Sequence, residues 1–210
     1  EWDSEKIAST TRLFVPFVIC IICKRTEIKN MKISLDDAIK QARFKYPVKN
    51  RFDRNRYAHL CIGTKVTELL PENGSILDIG SGPCEAAGIL ALLGYEVSAC
   101  DDLSDYWHLY GDNRRKIMEY ATEIGVNFLL MENNDLPFEQ NSFDMVMCNA
   151  VLEHLHESPR DLVNKMMGIV KPNGLFFITV PNAVNIRKRL DVLRGRTNLP
   201  PYKAYYWHPG

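Results

Sequence analysis

The feature that most constrains this chain is the passage from Ser75-Ile76-Leu77-Asp78-Ile79 into Gly80-Ser81-Gly82-Pro83-Cys84, with a helix-like stretch opening at Glu85. A short apolar strand that runs into glycines and straight on into a helix lets the backbone turn tightly and approach a ligand closely. In open α/β sheets such ligands sit outside the carboxyl ends of the strands. Asp101, a little over ~20 residues beyond Asp78, falls where a carboxylate accepts hydrogen bonds from ribose hydroxyls, with Asp102 beside it as the second choice.

The pattern around this loop alternates. Strands are expected over residues 75–79, 96–100, 126–131, 143–148 and 174–180, and helices over 85–93, 113–124 and 160–170. Upstream, Ser34 caps a helix that carries Asp36 and Asp37 in its first turn and stops before Pro47. Residues 51–56 read as a basic linker, and 57–70 as an amphipathic helix ending at Pro71. Strands that alternate with helices imply parallel pairing through right-handed crossovers. The expected fold is therefore α/β, a Rossmann-like open, mainly parallel sheet with helices on both faces.

Length suits one α/β domain with terminal elaboration: 210 residues, 46% apolar and 25% charged. The net charge of +0 argues against a general nucleic-acid binder, which needs a basic excess to neutralise phosphates. The six cysteines are scattered, and the Cys20/Cys23 pair lies in an apolar run with no second pair or nearby His. This fits a reduced, cytoplasmic protein without a metal site. Residues 13–23 are apolar but broken by Pro16, and fall short of the ~20 residues a membrane-spanning helix needs, so stable membrane insertion is not expected. Residues 1–30 are read as a non-native or upstream extension, 31–73 as a helical segment, 74–182 as the core, and 183–210 as a basic, aromatic and truncated tail.

A dinucleotide fingerprint would place Gly or Ala where Glu85 stands, and a carboxylate there opposes a pyrophosphate on the helix N-terminus. Cationic sulfonium and amino-acid groups suit acidic neighbours better. At this point the residues resemble a known family. Leu77-Asp78-Ile79-Gly80-Ser81-Gly82-Pro83-Cys84 resembles motif I of class I S-adenosylmethionine-dependent methyltransferases. Asp135-Leu136-Pro137-Phe138, Asn141-Ser142-Phe143-Asp144, Asn149-Ala150-Val151-Leu152-Glu153-His154 and Val170-Lys171-Pro172-Asn173-Gly174-Leu175 are similar to that family's later blocks. The resemblance implies S-adenosyl-L-methionine as cofactor. It implies that Asp78, Gly80 and Gly82 hold its methionine part, with Ser81 also in the cofactor-binding loop, that Asp101 or Asp102 holds the ribose, and that Glu132 and Asn133 meet the adenine. Asn149 would line the transfer chamber. The family's later antiparallel strands are missing from the pattern, which would leave the last parallel strand as an open edge.

The implied activity is methyl transfer to an O or N nucleophile of a small molecule, glycan or lipid-linked intermediate. His154 is the candidate general base. Arg187-Lys188-Arg189, Arg194 and Arg196 form the main basic concentration, suited to a solvated helix face or to an anionic acceptor. Two rivals remain on sequence grounds: an NAD(P)-dependent Rossmann oxidoreductase and a non-catalytic cofactor-binding module.

Overall fold

The computed structural model describes residues 17–20, 33–131, 136–155, 158–182 and 185–196. Six strands form one sheet in the order β1-β6-β5-β2-β3-β4: β1 Phe17–Cys20, β2 Ser75–Ile79, β3 Glu96–Asp101, β4 Asn127–Leu130, β5 Phe143–Asn149 and β6 Val170–Val180. The pairs β2–β3, β2–β5, β3–β4 and β5–β6 are parallel. The strand order reverses at β2, whose carboxyl end is the glycine loop, so the sheet opens a crevice there.

Eight helices surround the sheet among the described residues: α1 Leu35–Lys45, α2 Lys49–Arg54, α3 Arg56–Leu69, α4 Glu85–Leu92, α5 Tyr106–Leu109, α6 Asn113–Ile124, α7 Arg160–Ile169 and α8 Ile186–Leu193. Local chemistry sets several ends. Ser34 Oγ accepts from Asp37 N at 3.1 Å to cap α1, and α6 stops where Gly125 takes φ 85°, a conformation that side chains resist.

The period of two along each strand sorts the core into two faces. Ile76, Ala99, Met145, Met147 and Phe177 face one layer, where Ala38, Ile39, Val66, Leu90 and Tyr120 from α1, α3, α4 and α6 pack. Leu77, Ile79, Cys100, Val146 and Cys148 face the other, closed by Met166 and Ile169 of α7. The helices lie on both faces, as the alternation required. At the amino end of the sheet, Asp144 clips a register shift between β5 and β6. Its carboxylate accepts from Ser75 N at 2.9 Å, Ser75 Oγ at 2.7 Å and Lys171 Nζ at 3.0 Å.

Two readings change. Residues 51–56 are not a linker: Phe52 is buried against Tyr46 and His59, and that anchor draws the basic segment into α2. The outer edge of β6 is not open either. β1, from the apolar run within residues 1–30, pairs antiparallel with it, Phe17 opposite Val180 through Cys20 opposite Phe177. Pairing satisfies the backbone groups that a bare edge would leave to solvent or to another chain. Among the described residues no strand follows β6.

Candidate active site

The glycine loop folds as a run of left-handed residues: Gly80 at φ 66°, Gly82 at φ 51° and Cys84 at φ 59°. Gly80 is required twice over. Its φ resists a side chain, and a Cβ there would run into the Val151 side chain, which follows β5. A Cβ on Gly82 would meet no heavy atom within 4 Å among the described residues, so the loop presents open space beside its backbone there. Cys84 holds the left-handed position without being glycine, at a cost of roughly 1–2 kcal/mol for an L-residue. Its buried thiol packs in the core and is pushed up to about 12 by burial, which keeps it an inert hydrophobe.

Neighbouring strands hold the loop in place. Gly80 N and Ser81 N both donate to Cys100 O, at 2.8 and 3.2 Å. Asp101, the last residue of β3, accepts from Gly82 N and from Leu103 N, each at 2.7 Å. The carboxylate expected to take a ribose thereby also fixes the loop. Asp78 is 2% exposed and accepts from Asn149 Nδ2 at 3.4 Å, while Thr179 Oγ1 donates to Asn149 Oδ1 at 3.4 Å. Asp78, Gly80, Gly82, Asp101 and Asn149 therefore come together at the carboxyl ends of β2, β3 and β5.

Carboxylates withdrawn from water at one crevice resist ionisation. Burial raises the Asp78 carboxyl to about 7, opposed by the Asn149 hydrogen bond and helped by the charge of Asp101. Asp101 is also raised, by burial first, against the Leu103 and Gly82 amides. A cation arriving here stabilises both ionised forms.

Other expected residues fall elsewhere. Asp102 is exposed and turns to its own loop, accepting from Ser104 N at 2.9 Å and Ser104 Oγ at 2.8 Å. Ser81 joins the loop through its backbone, with Oγ 3.6 Å from Cys84 Sγ. His154 closes an exposed 3-10 turn, its N donating to Val151 O at 2.9 Å. Glu132 and Asn133 lie outside the described residues, although Met131 N donates to Asp101 O at 2.9 Å and so brings the end of β4 to the site.

Glu85 behaves differently from its sequence reading. Its carboxylate is 5% exposed and faces α2 and α3, where it accepts from Asn55 Nδ2 at 2.7 Å and meets His59 Nε2 at 3.1 Å and Arg51 Nε at 3.7 Å. Burial would raise this carboxyl, but the His59 and Asn55 hydrogen bonds and the Arg51 charge hold it below its ordinary value. It is thus a latch between the N-terminal helices and the helix that starts at the loop, and it does not face a ligand. Arg51 also lies 3.9 Å over the Trp107 ring of α5, extending the latch to the segment after Asp101. Next to it, His108 is 3% exposed, and neither ring nitrogen has a hydrogen-bond partner among the described residues. Burial lowers its pKa against the pull of Asp101. Sequence inspection missed this group because its members are spread over 51–108; Phe52 among charged neighbours was the one signal available.

Residues 77–178 match the family described as a methyltransferase domain. The match takes in the glycine loop, Asp101 and Asn149 and covers just under half of the 210 residues, so this part of the chain is similar to a methyltransferase domain. A Rickettsia felis protein named ubiquinone biosynthesis O-methyltransferase is 33% identical over 109 residues, 51% of this chain and 41% of the relative. An uncharacterized methyltransferase from a Mycobacterium strain is 28% identical over 109 residues, 52% of this chain and 39% of the relative. The chain thus spans about two fifths of the length of these curated relatives. A solved structure from Pyrococcus horikoshii superposes with TM-score 0.52 at 23% identity, over 71% of this chain and 68% of that one, which bears on the fold alone.

The cofactor of the family is S-adenosyl-L-methionine, and the methyltransferase domain fits it. The open side of Gly82 gives room for close backbone approach, and the buried Asp78 and half-buried Asp101 carboxylates match a ligand bearing sulfonium and ammonium charge. A pyrophosphate on this loop would meet the buried Asp78 carboxylate at the end of the same strand. That opposition, rather than Glu85, is the structural argument against a dinucleotide.

Proposed function

We propose that this chain binds S-adenosyl-L-methionine along Gly80–Ser81–Gly82 and transfers its methyl group to an oxygen nucleophile of a small molecule, glycan or lipid-linked acceptor. The observation that carries the reading is the buried Asp78 carboxylate and the half-buried Asp101 carboxylate, meeting at an open glycine loop. When bound, the cofactor supplies a methyl group already activated by its sulfonium. The protein then has to bind, align and exclude water. Asp78 and Asn149 receive the methionine part and Asp101 the ribose, with Asp102 as the outer acid; Glu132 and Asn133 take the adenine. Asn149, at the end of β5, borders the transfer chamber.

An oxygen acceptor is supported by the name of the Rickettsia felis relative. A hydroxyl must lose its proton as the new bond forms, and His154, exposed in the turn after β5, is the candidate base for it. Among the described residues no helix is long and apolar enough to cross a membrane. Three buried free thiols, Cys84, Cys100 and Cys148, suit a reducing, cytoplasmic setting.

The test is transfer of radiolabelled methyl from S-adenosylmethionine to separated aqueous and lipid fractions of a cell extract. Label that boiling hydriodic acid releases as methyl iodide, under conditions that leave N-methyl groups in place, supports the O-methyl reading. Cofactor binding with no labelled acceptor in either fraction would favour a non-catalytic binding module.

A further inference from the structure

We propose that α8 docks the protein on anionic lipid surfaces, holding the active-site rim against a membrane. The helix is capped at its start by Asn185, whose Oδ1 accepts from Lys188 N at 2.9 Å. Ile186, Leu190 and Leu193 recur at a spacing of four and three, so they share one stripe. That stripe faces solvent: Ile186 is 77% exposed, Leu190 43% and Leu193 82%. Arg189 and Arg194 lie on its two sides in the helical register and are exposed as well. The inward positions are Lys188 and Asp191, both half-buried, with Arg196 Nη1 3.7 Å from Asp191 Oδ1.

Charge identifies the occupant. Residues 185–196 hold five basic residues against one acidic, a net of +4 in a chain whose total is +0. An apolar stripe flanked on both sides by arginine matches the boundary of a bilayer with acidic headgroups, where aliphatic side chains enter the acyl region and guanidinium groups meet phosphate. Three aliphatic side chains on a helix of eight residues form too small a patch for a stable protein partner, which needs roughly 800 Å² per side. α8 begins shortly after β6 ends at Val180, on the same end of the sheet as the glycine loop. Tyr106, Leu109 and Tyr110, after β3 at that same end, are 76%, 56% and 69% exposed, the residue types that settle at bilayer interfaces. A membrane held here would face the mouth of the site. The inference concerns binding alone and stands whatever the acceptor is.

The experiment is co-sedimentation of the whole chain with vesicles of phosphatidylcholine alone and of phosphatidylcholine with about 30 mole per cent phosphatidylglycerol. The protein should bind the anionic vesicles and not the neutral ones, and raised salt should release it. Two double variants separate the forces. Leu190→Glu with Leu193→Glu, and Arg189→Gln with Arg194→Gln, should each weaken vesicle binding by at least about tenfold. Both should keep the wild-type affinity for S-adenosylhomocysteine, since the substituted residues lie outside the glycine loop and its acids. Absence of binding to anionic vesicles overturns the proposal, as does binding that neither variant weakens. A dimer that Leu190→Glu with Leu193→Glu converts to monomer also overturns it, by assigning the stripe to a second copy.

Discussion

Asp78 makes cofactor binding depend on pH in a direction the structure fixes. Its carboxyl titrates at about 7 in the ligand-free fold because it is buried beside Asp101. If the ionised form receives the cofactor's ammonium, the ionised fraction sets the apparent affinity. That fraction is about one tenth at pH 6 and about nine tenths at pH 8, so the affinity for S-adenosylhomocysteine should rise about tenfold between them. Binding at pH 6 should release close to one proton per chain and at pH 8 almost none. Titration calorimetry in two buffers of different ionisation enthalpy measures both quantities. Stability runs the other way. A carboxyl raised from about 4 in the unfolded chain makes the fold lose stability as pH climbs from about 4 to about 7, by roughly 4 kcal/mol in total for this group. Asp78→Asn should remove that slope, leaving a ligand-free protein more stable than wild type at pH 8 but weaker in cofactor binding. An affinity flat from pH 6 to 8, with no buffer dependence of the heat, refutes the reasoning.

Three further substitutions probe the frame. Glu85→Ala strips the buried latch and leaves Arg51, His59 and Asn55 without their acceptor, so denaturant unfolding should register a loss of roughly 3–5 kcal/mol; a loss below about 1 kcal/mol would show that the latch contributes little. Gly80→Ala forces a side chain into a left-handed turn against Val151, and calorimetry should find cofactor binding lost even where circular dichroism reports a folded chain. Asp144 is held below its ordinary pKa by the Ser75 amide and hydroxyl and by Lys171, against its partial burial. Its contribution is present above the unfolded carboxylate pKa and fades as pH falls through the lower folded value; Asp144→Asn should therefore flatten the acid limb of a stability–pH curve.

Much of the core was legible because two periodicities and one loop carry it. The strand over Ser75–Ile79 and the helix over Asn113–Ile124 fall where alternation and Gly125 put them. That Asp78 and Asp101 sit at the ends of neighbouring strands was legible because the crevice of an open sheet fixes where strand ends meet. What the chain hid was tertiary. Residues 51–56 carry polar, basic propensity, and only the burial of Phe52 turns them into α2. Glu85 looks ligand-facing in sequence, yet three polar partners from 30 or so residues upstream draw it inward. β1 was hidden for a related reason: nothing local in an apolar run says which sheet edge, if any, will pair with it.

The central claim is that the glycine loop, with Asp78 and Asp101, binds S-adenosylmethionine and not a dinucleotide. Titration calorimetry at pH 8 with S-adenosylhomocysteine, and in parallel with NADH, tests it directly. The account predicts one S-adenosylhomocysteine bound per chain, no heat from NADH, and loss of binding in Asp101→Ala. Binding of NADH with no binding of S-adenosylhomocysteine would contradict it.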